Sequence, residues 1–120
     1  MTKISKYTKL LNTLEEWEEE YLSGYIYFRE IVFSDLGSNL LGNCHREGRT
    51  YLLQINKRFE NDYLTSYVIL WHEFAHMMNV LINKQYGHGA GWIKCWFRKP
   101  LLTIPAYIII FPNVIRRLIK

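Results

Sequence analysis

Residues 72–76 read His-Glu-Phe-Ala-His, and this pentad constrains the chain more than any other segment. Positions four apart lie on the same face of a helix, so the imidazoles of His72 and His76 can reach a single metal ion. Glu73 is displaced around the helix from that pair, where its carboxyl can hydrogen-bond a water on the ion. The pentad therefore predicts a helix with a metal-assisted hydrolytic site on one face. The plainer interpretation is a pair of polar helix residues that bind no metal.

The surrounding residues favour a helix over 65–83, because this stretch contains no Gly or Pro. Apolar residues recur there at spacings of three and four and form one stripe: Leu70, Phe74, Met77, Met78 and Leu81. A more polar face carries His72, His76, Asn79 and Asn83. Asp62 or Thr65 is the candidate N-cap, and the helix is expected to stop at Tyr86-Gly87. Both histidines should then face a cleft instead of the core.

The residues after the pentad offer few candidates for a third metal ligand. No Asp or Glu follows Glu73, and His88 is the only later histidine, so a downstream carboxylate ligand is excluded. Asn79 and Ile82 stand where a metzincin would have glycine and histidine. His88 lies between two glycines, which let the backbone turn back toward the helix. The alternative is that His88 is an ordinary turn residue. An upstream carboxylate or His45 would then complete the site, although His45 fits better as a surface residue at a strand end.

The spacing of these residues resembles the SprT-like metallopeptidases. The resemblance rests on His72-Glu73-x-x-His76, an eleven-residue spacer, then His88-Gly89 and Trp92. Upstream, Leu41-Gly42-Asn43-Cys44, a turn at 46–48 and the apolar stretch 51–56 are similar to the family's hairpin before the active-site helix. The likeness covers about residues 25–98.

That resemblance implies a compact zinc-dependent protease core, with His72, His76 and His88 as Zn²⁺ ligands and Glu73 as general base. It also implies protein substrates, and in some relatives proteins cross-linked to DNA. Several relatives continue into a zinc module with paired cysteines, whereas this chain has only Cys44 and Cys95. Functions that depend on that module are not expected here.

The fold class expected is α+β: a small zincin-like domain with an N-terminal helix, a three-stranded sheet, the active-site helix and a short following helix. A chain of 120 residues, 49% hydrophobic, is enough for one modest core. We predict helices over 5–22 and 92–97, and strands over 26–33, 40–45 and 49–55, the last two joined through Gly48. Trp92, Trp96 and Phe97 of the last helix should pack on the site.

Residues 1–100 are assigned to the metallopeptidase domain and residues 101–120 to an apolar and basic C-terminal tail packed on it. The tail is interrupted by Pro105 and Pro112 and is short for a membrane span. Seven Lys or Arg residues follow Glu73, and no Asp or Glu does. This basic half could contact nucleic-acid phosphates or an anionic membrane surface. The third interpretation is a basic face that is simply exposed to solvent. Residues 1–22 are too polar for a secretory signal, and the two cysteines form no framework, so we expect a cytoplasmic protein.

The predicted function is zinc-dependent hydrolysis of peptide bonds in protein substrates. Candidates for stabilising the oxyanion are Tyr86 and Tyr107, and a substrate strand is expected to pair with a sheet edge formed by residues 49–55. Two other functions stay open. One is a catalytically silent zinc-binding module, and the other is an accessory protein that works through its basic tail on nucleic acid or membrane.

Overall fold

A computed structural model describes residues 6–25 and 27–102 of the chain. Its elements run in the order α1 (Lys6–Leu22), β1 (Phe28–Ser34), β2 (Gly42–Glu47), β3 (Thr50–Asn56), α2 (Tyr63–Met78) and α3 (Ala90–Trp96). A 3₁₀ turn, Lys57–Phe59, precedes α2, and a π-helical turn, Asn79–Asn83, follows it. The predicted fold class is confirmed at this level: a small α+β domain with an N-terminal helix, one three-stranded sheet and following helices.

The strand order in the sheet is β1-β3-β2, so β3 is the central strand. β2 and β3 form the predicted antiparallel hairpin through Gly48, whose φ of 61° suits the first position of a two-residue turn. β1 lies parallel to β3 on its other side, which makes the sheet mixed. The prediction that residues 49–55 form a sheet edge is therefore wrong, because the parallel pairing with β1 covers the side of β3 that the hairpin leaves open. The edge beside the cleft is β2.

The core lies between the helices and one face of the sheet. Alternation along β3 buries Tyr51, Leu53 and Ile55, while the residues between them stay partly exposed. The buried face packs against apolar side chains of α1 and α2, which include Leu10, Leu14, Trp17, Leu70, Trp71, Phe74, Met77 and Met78. Four of the five residues in the predicted α2 stripe are completely buried, and Leu81 is partly so.

Helix α2 begins at Asp62, whose carboxylate accepts hydrogen bonds from the Thr65 backbone N–H at 3.1 Å and the Thr65 hydroxyl at 2.6 Å. This is the predicted cap. At its other end the α-helix gives way to the π turn after Met78 and ends at Lys84, which adopts a left-handed φ of 56°. The helical stretch thus ends at residue 83, before the expected stop at Tyr86-Gly87.

The tail predicted over 101–120 falls outside the described residues from 103 onward. Leu102 still packs partly on the core, whereas Leu101 is exposed. Within the described residues, no helix combines the length and apolarity needed to cross a membrane.

Candidate metal centre

Helix α2 carries the whole pentad, and its packing decides where each side chain lies. The buried stripe faces α1 and the sheet, so His72 and His76, one turn apart, lie along a cleft with ring centroids 5.2 Å apart. Glu73 is buried on the side of α2 that faces β2. The predicted orientation of both histidines toward a cleft therefore agrees with the structure.

The loop between the π turn and α3 brings His88 to the same place. The turn reverses the chain at Lys84, and Gly87 takes a φ of 80°, which favours glycine. His88 Nε2 then lies 3.1 Å from His76 Nε2. Gly89 has an ordinary φ of −78°, so only one of the two glycines beside His88 is needed for its backbone conformation.

The three imidazoles are close enough to hold one metal ion. Each offers a ligand atom, and the three atoms lie within 4.8 Å of one another. A tetrahedral zinc site with Zn–N bonds of 2.0–2.1 Å requires nitrogens about 3.3 Å apart, so small side-chain rotations would close the site. The Nδ1 atom of His72 is also buried without a hydrogen-bond partner among the described residues, which is unusual for a structural histidine. The donor set thus fits a divalent metal.

Burial keeps the rings of His72 and His76 neutral, the form in which imidazole binds a metal. It lowers the pKa of His72 from 6.5 to about 3, with smaller contributions from His76 and His88. The pKa of His76 falls to about 4, again mainly through burial and then through the neighbouring His88. Their lone pairs are therefore not blocked by protons at neutral pH.

Indole rings of α3 form a wall behind the imidazoles. Trp92 stacks on His76 at 5.2 Å and meets His88 edge-on at 4.6 Å, and Trp96 meets His72 edge-on at 5.4 Å. The Trp71 indole N–H donates to the Trp96 carbonyl at 2.9 Å and so ties α2 to α3. The prediction that Trp92 and Trp96 pack on the site is confirmed, whereas Phe97 is half exposed and contacts Trp96.

Glu73 is 5% exposed and lines the same cleft. Burial raises the pKa of its carboxyl from 4.5 to about 8. The carboxyl lies against Gly42 at the start of β2, where an added Cβ would come within 3.0 Å of Glu73 Oε2 and 2.6 Å of Ile69 Cγ2. Glycine is therefore needed at position 42 because a larger side chain would not fit, and not because of its backbone φ. The missing side chain lets the edge strand lie close to Glu73.

The cleft has a volume of about 500 Å³ and lies between α2, β2 and the His88 loop. Four residues of β2 line it, and three of them, Gly42, Cys44 and Arg46, point to the same side of the strand; the fourth is Asn43. Burial, and then the charge of Glu73, raises the pKa of the Cys44 thiol to about 12, so this cysteine stays protonated. From the sequence, these residues were assigned to the hairpin but not to the cleft, because that placement depends on which strand forms the edge.

Other candidate residues lie apart from the centre. His45 follows Cys44 in β2, and successive side chains of a strand point to opposite faces, so His45 lies on the sheet face away from the cleft. Its Nε2 is 3.4 Å from a carboxylate oxygen of Glu47 there. No carboxylate joins the three histidines as a metal-binding group in the described part of the chain. Tyr86 lines the cleft but is 76% exposed, and Tyr107 lies outside the described residues.

A buried amide cluster supports the His88 loop. Asn79 was expected on the polar face of α2, yet it is 1% exposed, and its Oδ1 accepts from Asn83 Nδ2 at 3.1 Å. Gly91 sits on this pair so closely that an added Cβ would lie 2.5 Å from Asn79 Oδ1. The cluster fixes the spacing between the end of the helical stretch and α3, and thereby the loop that carries His88.

Comparison with protein-family models, curated proteins and solved structures returned no match for this chain. The function is therefore argued from the geometry of the site.

Proposed function

We propose that this chain is a zinc-dependent metallopeptidase that hydrolyses peptide bonds in protein substrates. One observation carries the proposal: three imidazoles with ligand atoms within 4.8 Å share a cleft with the carboxyl of Glu73, the residue after the first ligand. Three neutral nitrogens with an open fourth position suit zinc better than the hard cations, which prefer oxygen ligands. The element order, with a hairpin before α2 and a tryptophan-bearing helix after His88-Gly89, also agrees with the SprT-like resemblance.

Zinc held by His72, His76 and His88 would lower the pKa of a bound water and polarise the scissile carbonyl. Glu73 has the position of the general base. Burial raises the pKa of its carboxyl to about 8, and a divalent cation held by the three histidines would favour the ionised form, because an opposite charge lowers a carboxyl pKa. Ionised Glu73 can accept a proton from the attacking water and later donate it to the leaving amine.

The edge strand β2 supplies a place for the substrate backbone. Among the described residues, β2 pairs only with β3, which leaves its outer N–H and C=O groups toward the cleft side of the sheet. An extended peptide can add to such an edge through main-chain hydrogen bonds. Recognition by backbone groups would place the scissile bond beside Glu73 in many different sequences.

The basic C-terminal half was a candidate surface for nucleic acid or membrane. Within the described residues, Lys99 forms an ion pair with Glu20 at 3.2 Å and Arg98 lies over the Tyr21 ring at 5.4 Å. Part of this charge is therefore used in packing α3 against α1. We keep nucleic-acid contact as a secondary proposal that rests on the resemblance, with steep weakening of binding by salt as its test.

The test combines metal analysis with cleavage of a fluorescently labelled, unfolded casein by full-length protein. Wild type should bind one zinc per chain and cleave. Glu73→Gln should retain zinc but lose cleavage, and His88→Ala should lose zinc. His45→Ala is the matched control, since it removes an exposed imidazole outside the site. Zinc binding without cleavage, unchanged by Glu73→Gln, would mean a silent metal module and would overturn the proposal.

A further inference from the structure

The two ends of the cleft differ in chemistry. Beside the start of β2 the lining is mostly apolar, with Leu40, Val68 and Ile69, although Asn39 and Asn43 also border it. The opposite end carries Arg46 and Tyr51. A peptide lying along the cleft would therefore meet an apolar surface on one side of Glu73 and a basic, hydrogen-bonding surface on the other.

Alternation along the edge strand sets the distance between these ends. Gly42, Cys44 and Arg46 point to the same side of β2, and Gly42 lies directly against Glu73. At about 3.3 Å per residue, Arg46 lies roughly 13 Å along the strand from Gly42. That span corresponds to about four residues of an extended peptide, and the long Arg46 side chain can reach back to positions nearer Gly42. Ile69 lies one helical turn from Glu73 in the other direction, so it would face a side chain next to the scissile bond.

Arg46 has no acidic partner in the described part of the chain. Its Nε donates to the Gly48 carbonyl at 2.7 Å, and its guanidinium lies 5.5 Å from the centre of the Tyr51 ring. The Tyr51 hydroxyl is buried at the same end and makes no hydrogen bond with the described residues. Glu73 is the one acid that lines the cleft, and the proposed reaction uses it. An exposed arginine at the rim of the cleft, with no acidic partner among the described residues, is suited to bind a carboxylate.

The polarity of the strand gives the peptide a direction. Antiparallel pairing is slightly more stable per residue than parallel pairing, so the peptide should run opposite to β2. Because β2 runs from the apolar end toward Arg46, an antiparallel peptide enters at Arg46 with its N-terminal side. Its C-terminal side then lies over Leu40 and Ile69.

We propose that the cleft selects extended peptides that carry an acidic residue two to four positions before the scissile bond and a large apolar residue directly after it. This inference names the substrate class of the proposed peptidase and rests on that function for the position of the scissile bond. The acid is recognised by Arg46 and the apolar side chain by the surface of Leu40, Val68 and Ile69.

The experiment measures binding, so that it does not depend on catalysis. Fluorescein-labelled ten-residue peptides are titrated into zinc-loaded Glu73→Gln protein and followed by anisotropy. One peptide has Glu three positions before a central Ala-Leu bond, a second replaces Glu with Lys, a third replaces Leu with Ala, and a fourth has the sequence reversed. We expect the Lys peptide to bind about fivefold more weakly, the Ala peptide about tenfold more weakly, and the reversed peptide more weakly than the first.

Matched variants assign each preference to a residue. In the Glu73→Gln background, Arg46→Gln should abolish the preference for Glu over Lys, whereas Arg49→Gln at the hairpin turn should leave it unchanged. Leu40→Gln should reduce the preference for Leu over Ala, whereas Leu64→Gln, exposed on α2 away from the cleft, should not. Salt should weaken the charge preference and leave the apolar one. Equal binding of all four peptides, or a charge preference that survives Arg46→Gln, overturns the inference.

Cleavage by the wild type separates this inference from the proposed function. Cleavage of casein at sites without the acidic and apolar pattern would leave the peptidase proposal standing and refute the selectivity. Selective binding by the zinc-loaded protein without any cleavage would refute the peptidase and keep the cleft as a selective peptide site.

Discussion

Replacement of Gly42 by alanine tests whether the edge strand β2 lies as close to α2 as the structure shows. The new Cβ would lie 2.6 Å from Ile69 Cγ2 and 2.8 Å from the Gln54 carbonyl oxygen. Carbon atoms pack best at about 3.5–4.0 Å, so β2 would have to move about 1 Å away from α2. Overpacking of this kind costs about 1–3 kcal/mol, and the smaller unfolded-state entropy of alanine returns less than about 1 kcal/mol.

Urea unfolding followed by tryptophan fluorescence measures this cost, since all four tryptophans are buried. We expect Gly42→Ala to lower the free energy of unfolding by about 1–2 kcal/mol. It should also slow cleavage, because the added methyl lies 3.0 Å from Glu73 Oε2. Gly89→Ala is the control: nothing lies within 4 Å of its added Cβ and its φ is ordinary, so its effect should stay within about 0.5 kcal/mol. Equal stability of the two variants would show that β2 does not abut α2, and the cleft described above would be wrong.

Three further predictions follow from the centre. His88→Ala should weaken zinc binding at least about 100-fold in competition with a chelator, whereas loss of a second-layer residue costs only about 10- to 100-fold; unchanged affinity would exclude His88 as a ligand. Asn79→Ala should cost about 0.5–1.5 kcal/mol, because it removes the hydrogen bond that the buried Asn79 amide accepts from Asn83, and it should also weaken zinc binding through the His88 loop; a variant with wild-type stability would remove the support assigned to the amide cluster. The metal-free protein should be most stable near pH 6.5. The lowered pKa values of His72 and His76 stabilise the fold above pH 6.5, and this stability is lost as the pH falls. The raised pKa of Glu73 stabilises the fold below pH 4.5, and this stability is lost as the pH rises through 8. Urea titrations across pH should show that Glu73→Gln removes the alkaline loss alone, and an unchanged alkaline loss would place Glu73 outside the buried site.

The sequence was sufficient for the helices because their signals are local. Leu70, Phe74 and Met77 recur at helical spacing, and Asp62 caps the helix that they predict. His88 was found by elimination, since no acid follows Glu73. These inferences needed only composition and spacing within about twenty residues.

Strand order could not be inferred in the same way. The parallel pairing of β1 with β3 joins residues 22 apart in the sequence, such as Arg29 and Tyr51, and no local pattern distinguishes a central strand from an edge. The error in placing the edge hid Arg46 and the tight contact at Gly42. Asn79 was misplaced for a related reason: its backbone is still α-helical, but Gly91, twelve residues further on, packs against its side chain and buries it.

X-ray absorption at the zinc edge of the zinc-loaded, full-length protein tests the central claim most directly. With His72, His76 and His88 as ligands, we predict a first shell of three imidazole nitrogens at about 2.0–2.1 Å and one further oxygen, with no sulfur. In His88→Ala, at zinc concentrations high enough to fill the weakened site, the imidazole count should fall to two. A sulfur at about 2.3 Å would mean that Cys44 or Cys95 binds the metal, and fewer than three imidazoles in the wild type would contradict the account.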